Sequence, residues 1–242
     1  MTAEIKKRIQ ISLIVLLLLA TARVAYIFHE RKSATTARNR DDGNRALTAD
    51  EYVYPKKFYA YDLASARALV GKSVWAKQGY GNLVYLVING DVDWTRGKPS
   101  LLPIEQLKVA DVVRQSPPQN WKAAPGENEL LAIAERGGHS RVAVPIGTFS
   151  GDGTLKLVAN DVFYIQDPHQ LYQHWPPETW KAIDSHQALP GMNELQVNFA
   201  LGVPQKAGGG EYGERTLEYS NGGMPVRVSF VGNKAVEITP IK

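Results

Sequence analysis

A run from Ile9 to Ala22, interrupted only by the polar Gln10, Ser12 and Thr21, sets the first limit on this chain. A segment with no polar face over roughly four turns cannot lie as a helix on the surface of a globular core. Lys6, Lys7 and Arg8 precede it, and the apolar pattern resumes after Arg23 through Val24, Ala25, Tyr26, Ile27 and Phe28. With the stem of Arg23 reaching to the far interface, the stretch comes to about 20 residues, which matches the hydrocarbon thickness of a bilayer. Residues 1–29 are therefore expected to form a transmembrane anchor, with Tyr26 and Phe28 at the interface beside His29, Arg31 and Lys32. Ala20-Thr21-Ala22 also fits the small-residue pattern of a secretory cleavage site, so secretion after cleavage near Ala22 stands as the alternative. Basic residues flank the run on both sides and do not decide orientation, but both readings export the remainder. The expected location is a bacterial inner membrane, crossed once, with the soluble region extracytoplasmic (periplasmic).

The chain has no cysteine. This excludes disulfide frameworks, thiolate nucleophiles and Cys-based zinc sites, and it excludes the lipid-accepting Cys of a bacterial lipoprotein. The net charge of +4 is unevenly placed: residues 1–45 hold nine Lys/Arg against four Asp/Glu, which leaves 19 against 20 over residues 46–242. A protein that neutralises phosphates carries its basic excess on the folded part, so no nucleic acid is expected as a partner.

Residues 30–57 are polar, with Ser33-Ala34-Thr35-Thr36 and Asp41-Asp42-Gly43-Asn44, and read as a linker. Residues 58–167 read as a β-rich domain. Asp62 is placed to cap a helix over 63–70 that Gly71 ends. Short β-branched and aromatic runs follow at 73–77, 83–88, 107–114, 129–135, 141–145, 155–158 and 162–165, divided by turn residues such as Asn89-Gly90-Asp91 and Gly151-Asp152-Gly153. The pattern predicts a small antiparallel β-barrel, SH3-like, or a sandwich. Ser116-Pro117-Pro118 opens an irregular insertion that carries Trp121. Residues 168–189 read as a helical connector broken at Pro176-Pro177.

Residues 190–242 begin with a helix whose apolar face is expected to hold Leu195 and Phe199 together with Met192, closed by Gly202 and Pro204. Runs at 215–219, 226–231 and 235–238, split by Asn221-Gly222-Gly223 and Gly232-Asn233, predict a three-stranded meander beside it. The predicted fold class is thus α+β. Gly191 and Met192 with Gln196 and Val197, then Leu201, Gly202 and Pro204, then Glu218-Tyr219, Val226 to Phe230 and Gly232 to Val236 follow one another in an order that resembles the SmpA/OmlA, or BamE-like, family of small bacterial envelope domains. The resemblance covers roughly the last quarter of the chain. It implies an α+β domain that works by contact with another envelope protein rather than by catalysis. This chain differs from the family's lipoproteins in having no lipid-accepting Cys and in carrying a β-rich segment upstream.

No motif for chemistry emerges. His169 and His174 are five residues apart, so a regular helix sets them on different faces, unlike a zinc-binding pair. Asp91, Asp93 and Asp152 beside glycines fit turns better than calcium loops. No serine stands in a strained glycine turn of the G-x-S-x-G kind, and the glycine runs lack the Lys-Ser/Thr of a phosphate loop. The expectation is a non-enzymatic protein with no catalytic residue, no cofactor and no metal. Tyr164, Tyr172, Trp175 and Trp180 are the candidate binding aromatics; they would line a groove for glycan or peptide, or else pack the two domains together. A peptidoglycan-binding module and a hydrolase without a familiar motif remain the alternative functions.

Overall fold

The structure is a computed structural model that describes residues 23, 47–77, 84–95, 101–118, 128–138 and 140–241. The chain divides into two compact units, residues 1–52 and 53–242. In the first, Ala49–Tyr52 form a 3-10 turn and Glu51 accepts hydrogen bonds from the backbone N–H and hydroxyl of Thr48. Among the described residues no helix is long and apolar enough to cross a membrane. The anchor expected over residues 1–29 lies outside them apart from Arg23, as do the linker up to residue 46 and Trp121 with its neighbours.

The second unit mixes helix and sheet, mostly strand, in two antiparallel sheets. It opens with an extended stretch that buries Phe58 and Ala60, followed by helix α1 (Leu63–Ala66) and a 3-10 turn, Arg67–Leu69. The predicted cap is in place: Asp62 Oδ1 accepts from Ser65 N at 2.7 Å, and Asp62 N donates to Ser65 Oγ at 3.1 Å. The expected single helix tightens to 3-10 geometry in its second half and ends at Gly71, whose φ of +79° suits a residue without Cβ.

The first sheet contains β1 (Ser73–Ala76), β2 (Tyr85–Ile88), β3 (Asp91–Asp93), β4 (Gln106–Gln115), β5 (Asn128–Arg136), β6 (Ser140–Phe149), β7 (Leu155–Leu157) and β8 (Phe163–Tyr164). Its order is β3-β2-β6-β5-β4-β1-β8, with β7 also on β6. β2 pairs with β6 through Leu86 and Val142 while β7 pairs with it through Gly147 to Phe149, so the two share one edge of β6 in succession. Gly147 permits this: a Cβ there would sit 2.8 Å from the carbonyl oxygen of Lys156. A bulge at Ala110 of β4 brings Val109 and Val112 to the same interior. Leu130, Ala132 and Ala134 of β5 join them there, while Leu131 and Ile133 face a smaller cluster with Tyr85, Val92 and Ala143 on the opposite side. β5 is thus buried on both faces, which is why it reads as a continuous apolar run.

One detail here differs from expectation, and the connector follows it. The run over 162–165 is not one strand; helix α2 (Ala159–Val162) makes a single turn before β8. Asn160 on that turn explains it, because its side chain accepts from Phe58 N and donates to Phe58 O, both at 2.7 Å, tying the opening segment to the sheet. The connector forms α3 (Pro168–Leu171) and α4 (Pro177–Asp184), each with proline in its first turn where the missing N–H is harmless.

The second sheet has the order β12-β11-β10-β9, from β9 (Lys206–Ala207), β10 (Thr216–Tyr219), β11 (Val226–Val231) and β12 (Lys234–Pro240), with α5 (Glu194–Leu201) against its inner face. The expected three-stranded meander therefore carries a short fourth strand, β9, that the glycine-rich sequence after it concealed.

Candidate functional site

The two sheets meet on an aromatic core. β1 and β8 pair with Trp75 opposite Tyr164 and Ala76 opposite Phe163. Alternation along a strand sends neighbours to opposite faces, so Val74 and Phe163 enter the core of the first sheet while Trp75 and Tyr164 face the second core. There Tyr164 meets Phe199 of α5 at 5.9 Å between ring centroids, and Tyr172 and Trp175 each lie 5.1 Å from Phe199 in edge-on contact. Tyr172 and Trp175 stack at 4.5 Å, and Trp180 of α4 stands 5.2 Å from Trp175 with its Nε1 donating to the carbonyl of Tyr172. The four aromatics singled out in the sequence are thus brought together, and all are buried. They pack the sheets to one another and leave little open ring face. Ile104 and Phe199 belong to the same cluster and the half-buried Trp75 packs against it; only the two-faced pattern of β1 could have signalled Trp75 in advance.

Outside this core lies a shallow hollow of about 590 Å3, lined by His169, Gln173, Trp175, Trp180, Asp184 and Ser185 among others. His169 stacks on Trp180 at 4.1 Å and stands between two carboxylates, Nδ1 at 2.9 Å from Asp167 and Nε2 at 3.1 Å from Asp184. The arrangement staples α3 to α4. It does not make a serine triad, because both ring nitrogens already face carboxylates and neither faces Ser185, whose hydroxyl donates to the carbonyl of Lys181. Among the described residues no group of three or more His, Asp or Glu converges as a metal site. Asp93 and Asp152 accept from the backbone N–H of Thr95 and Thr154, two residues on, which is turn chemistry.

The residues on which the resemblance rests all take structural places. Gly191, at φ +88°, donates to the carbonyl of Ala235, and Ala235 donates back to Met192, so this pair extends the edge at β12. Asn193 caps α5, with Gln196 N donating to Asn193 Oδ1 and Asn193 N to Gln196 Oε1. Val197 and Leu201 are buried against the sheet, Gly202 ends the helix at φ +89°, and Pro204 follows in the turn towards β9.

A charged centre escaped the sequence reading. Glu194, in the first turn of α5, is 1% exposed. Its carboxylate accepts from Gly213 N at 2.9 Å and from both Nε and Nη2 of Arg215. The same bond holds the Arg215 guanidinium even further above the usual range. Nearby, the Tyr219 hydroxyl donates to Asn198 Oδ1 at 2.8 Å, and burial, reinforced by Glu194, pushes its ionisation above the ordinary 10. Nothing in the spacing of Glu194 and Arg215 announced the pair.

The outer face of the second sheet is mostly polar, with Arg227 bonded to Glu218 and Thr216 to Ser229. That bond draws the Glu218 carboxyl below its ordinary range. Val231 and Val236 break the pattern. Val231 pairs with Lys234, so Val236, two residues on and at a bulge, lies on the same face; they are 60% and 56% exposed. No protein-family model, no curated protein and no solved structure matches this chain.

Proposed function

We propose that this chain is a membrane-tethered, extracytoplasmic, non-enzymatic protein of the bacterial envelope whose BamE-like C-terminal sheet docks another envelope protein. The finer architecture we assign to the first sheet is a small, incompletely closed SH3-like barrel that backs the docking sheet through the aromatic core. The observation that carries the docking reading is the pair Val231 and Val236, exposed together on an ordered sheet whose other outward residues are polar. Val231 ends β11 and Val236 lies on the edge strand β12, so the pair forms a small apolar corner bordered by the polar Lys234, Glu237 and Ser229, a patch for a modest protein contact. A glycan platform is less well supported, because Trp175 and Trp180 are buried and His169 already stacks on Trp180.

The test is affinity capture of the tagged full-length chain from crosslinked, solubilised membranes, compared with Val231→Asp/Val236→Asp. Both side chains are exposed, so the variant should keep its circular dichroism spectrum and melting temperature. The proposal expects a specific envelope protein to be retained by the parent and lost by the variant. Equal recovery by both proteins refutes the assignment of this face, and retention of the chain on purified peptidoglycan would favour the wall-binding reading instead.

A further inference from the structure

We propose that the opening segment of the second unit, Tyr54 to Tyr61, is a lipid-surface contact that seats the folded body on the bilayer through exposed tyrosines and lysines. Tyr54, Tyr59 and Tyr61 are 81%, 65% and 82% exposed, among the most exposed large side chains of the described residues. They do not belong to a loose tail. Phe58 and Ala60 are buried in the core of the first sheet, Asn160 clamps both backbone groups of Phe58, and Lys56 N donates to Gln166 Oε1 at 2.8 Å. Alternation about Phe58 and Ala60 therefore turns Tyr59 and Tyr61 outward on a fixed frame. Lys56 and Lys57 are exposed beside them.

Three features select a lipid surface as the occupant. First, tyrosine is the side chain that sits at a membrane interface, with its ring at headgroup depth and its hydroxyl in water. Second, the two lysines add attraction to anionic headgroups, each strengthening binding roughly fivefold near such a surface. Third, residue 53 follows the end of the apolar run at Phe28 by 25 residues of chain. At no more than about 3.5 Å per residue, that length keeps the unit within roughly 90 Å of the point where the run ends. For a protein held so, the local concentration of bilayer surface is on the order of 1 mM or more, and a weak patch suffices. For this last point the proposal rests on the membrane-tethered reading given above.

The absence of cysteine allows a single one to be labelled cleanly. The full-length chain carrying Tyr61→Cys and an environment-sensitive fluorophore is reconstituted into vesicles of phosphatidylcholine and phosphatidylglycerol, with nitroxide-labelled lipid as quencher. The same label at Met224→Cys, also highly exposed, serves as control. The proposal expects a blue shift and strong quenching at 61, little at 224, and loss of the quenching at 61 in the Tyr54→Ser/Tyr59→Ser background. Weaker quenching in vesicles of phosphatidylcholine alone would mark the contribution of Lys56 and Lys57. An aqueous spectrum at 61, equal quenching at 224, or quenching unchanged by the serine replacements overturns it. Alkaline carbonate extraction of the same vesicles separates the two readings. Protein retained with an aqueous label at 61 removes the lipid contact and leaves the anchor, whereas protein released after quenching at 61 removes the anchor and leaves the contact.

Discussion

Removing either partner of the Glu194–Arg215 pair should destabilise the second unit, and by unequal amounts. Breaking a buried ion pair costs about 3–5 kcal/mol, because the group left behind has lost its water and found no substitute. Glu194→Ala leaves the Arg215 side chain, which is 27% exposed and can regain some water, so the lower end, about 3 kcal/mol, is expected. Arg215→Ala leaves a carboxylate that is 1% exposed, with Gly213 N as its remaining donor of the three, and the upper end, about 4–5 kcal/mol, is expected. For a protein of this size 1 kcal/mol moves Tm by about 2–4 °C, so the losses are roughly 6–12 °C and 8–20 °C. Replacing both, as Glu194→Leu/Arg215→Met, removes the charges together and should recover most of the difference. Calorimetric melts of the four proteins, checked against urea titrations, measure all of this. A melt for Arg215→Ala within about 2 °C of the parent, or a smaller loss than for Glu194→Ala, would refute the reasoning.

Phe199→Ala should cost about 3–5 kcal/mol in urea titrations and flatten the near-ultraviolet dichroism, since its fully buried ring touches Tyr164, Tyr172, Trp175 and Trp180; a loss under about 1 kcal/mol would mean the aromatics are not packed as described. Gly147→Ala should cost about 1–3 kcal/mol because its Cβ meets the backbone of β7, whereas Gly151→Ala, with nothing within 4 Å, should stay within about 0.5 kcal/mol, both read from melting curves. Tyr219 gives a pH dependence: the fold keeps a phenol proton that the unfolded chain releases above pH 10, so stability should fall by up to about 1.4 kcal/mol per pH unit above that point. Lys77, lowered from 10.5 chiefly by burial, acts in the opposite direction below 10.5 in both proteins, so subtracting the curve of Tyr219→Phe from that of the parent isolates the tyrosine; identical curves would refute its assignment.

Elements whose signals are local were legible in the sequence. The cap at Asp62, the strand at Val226–Val231, the glycines at 71 and 202 and the proline-led helices depend on residues within a few positions of one another. Elements decided by distant partners were not. The turn at Ala159–Val162 is fixed by Asn160 reaching Phe58, 102 residues away. β9 exists because Lys206 and Ala207 find β10, and the Glu194–Arg215 pair joins a helix to the bend just before β10, 21 residues on. The four aromatics, which the sequence left with two possible uses, lie together in the structure, and their burial places them in the packing of the sheets.

The backbone at Ile104 measures how strongly that packing matters. Ile104 has φ +52°, a region where a β-branched residue pays about 1–2 kcal/mol against its own Cβ. It stays there because its N–H donates to the carbonyl of Ala76 at 2.9 Å and its side chain is buried in the aromatic core beside the β1–β8 face. Burying an isoleucine side chain contributes about 1.5–3 kcal/mol, enough to outweigh the strain. A strained residue held at the junction by its burial means that the first sheet contributes to the second core and is not merely tethered to it. Cutting the chain near residue 190 would therefore expose Trp75, Ile104 and Tyr164 to water as well as remove the second sheet. Function is for this reason better probed by replacing outward side chains such as Val231 and Val236 than by deleting the C-terminal unit.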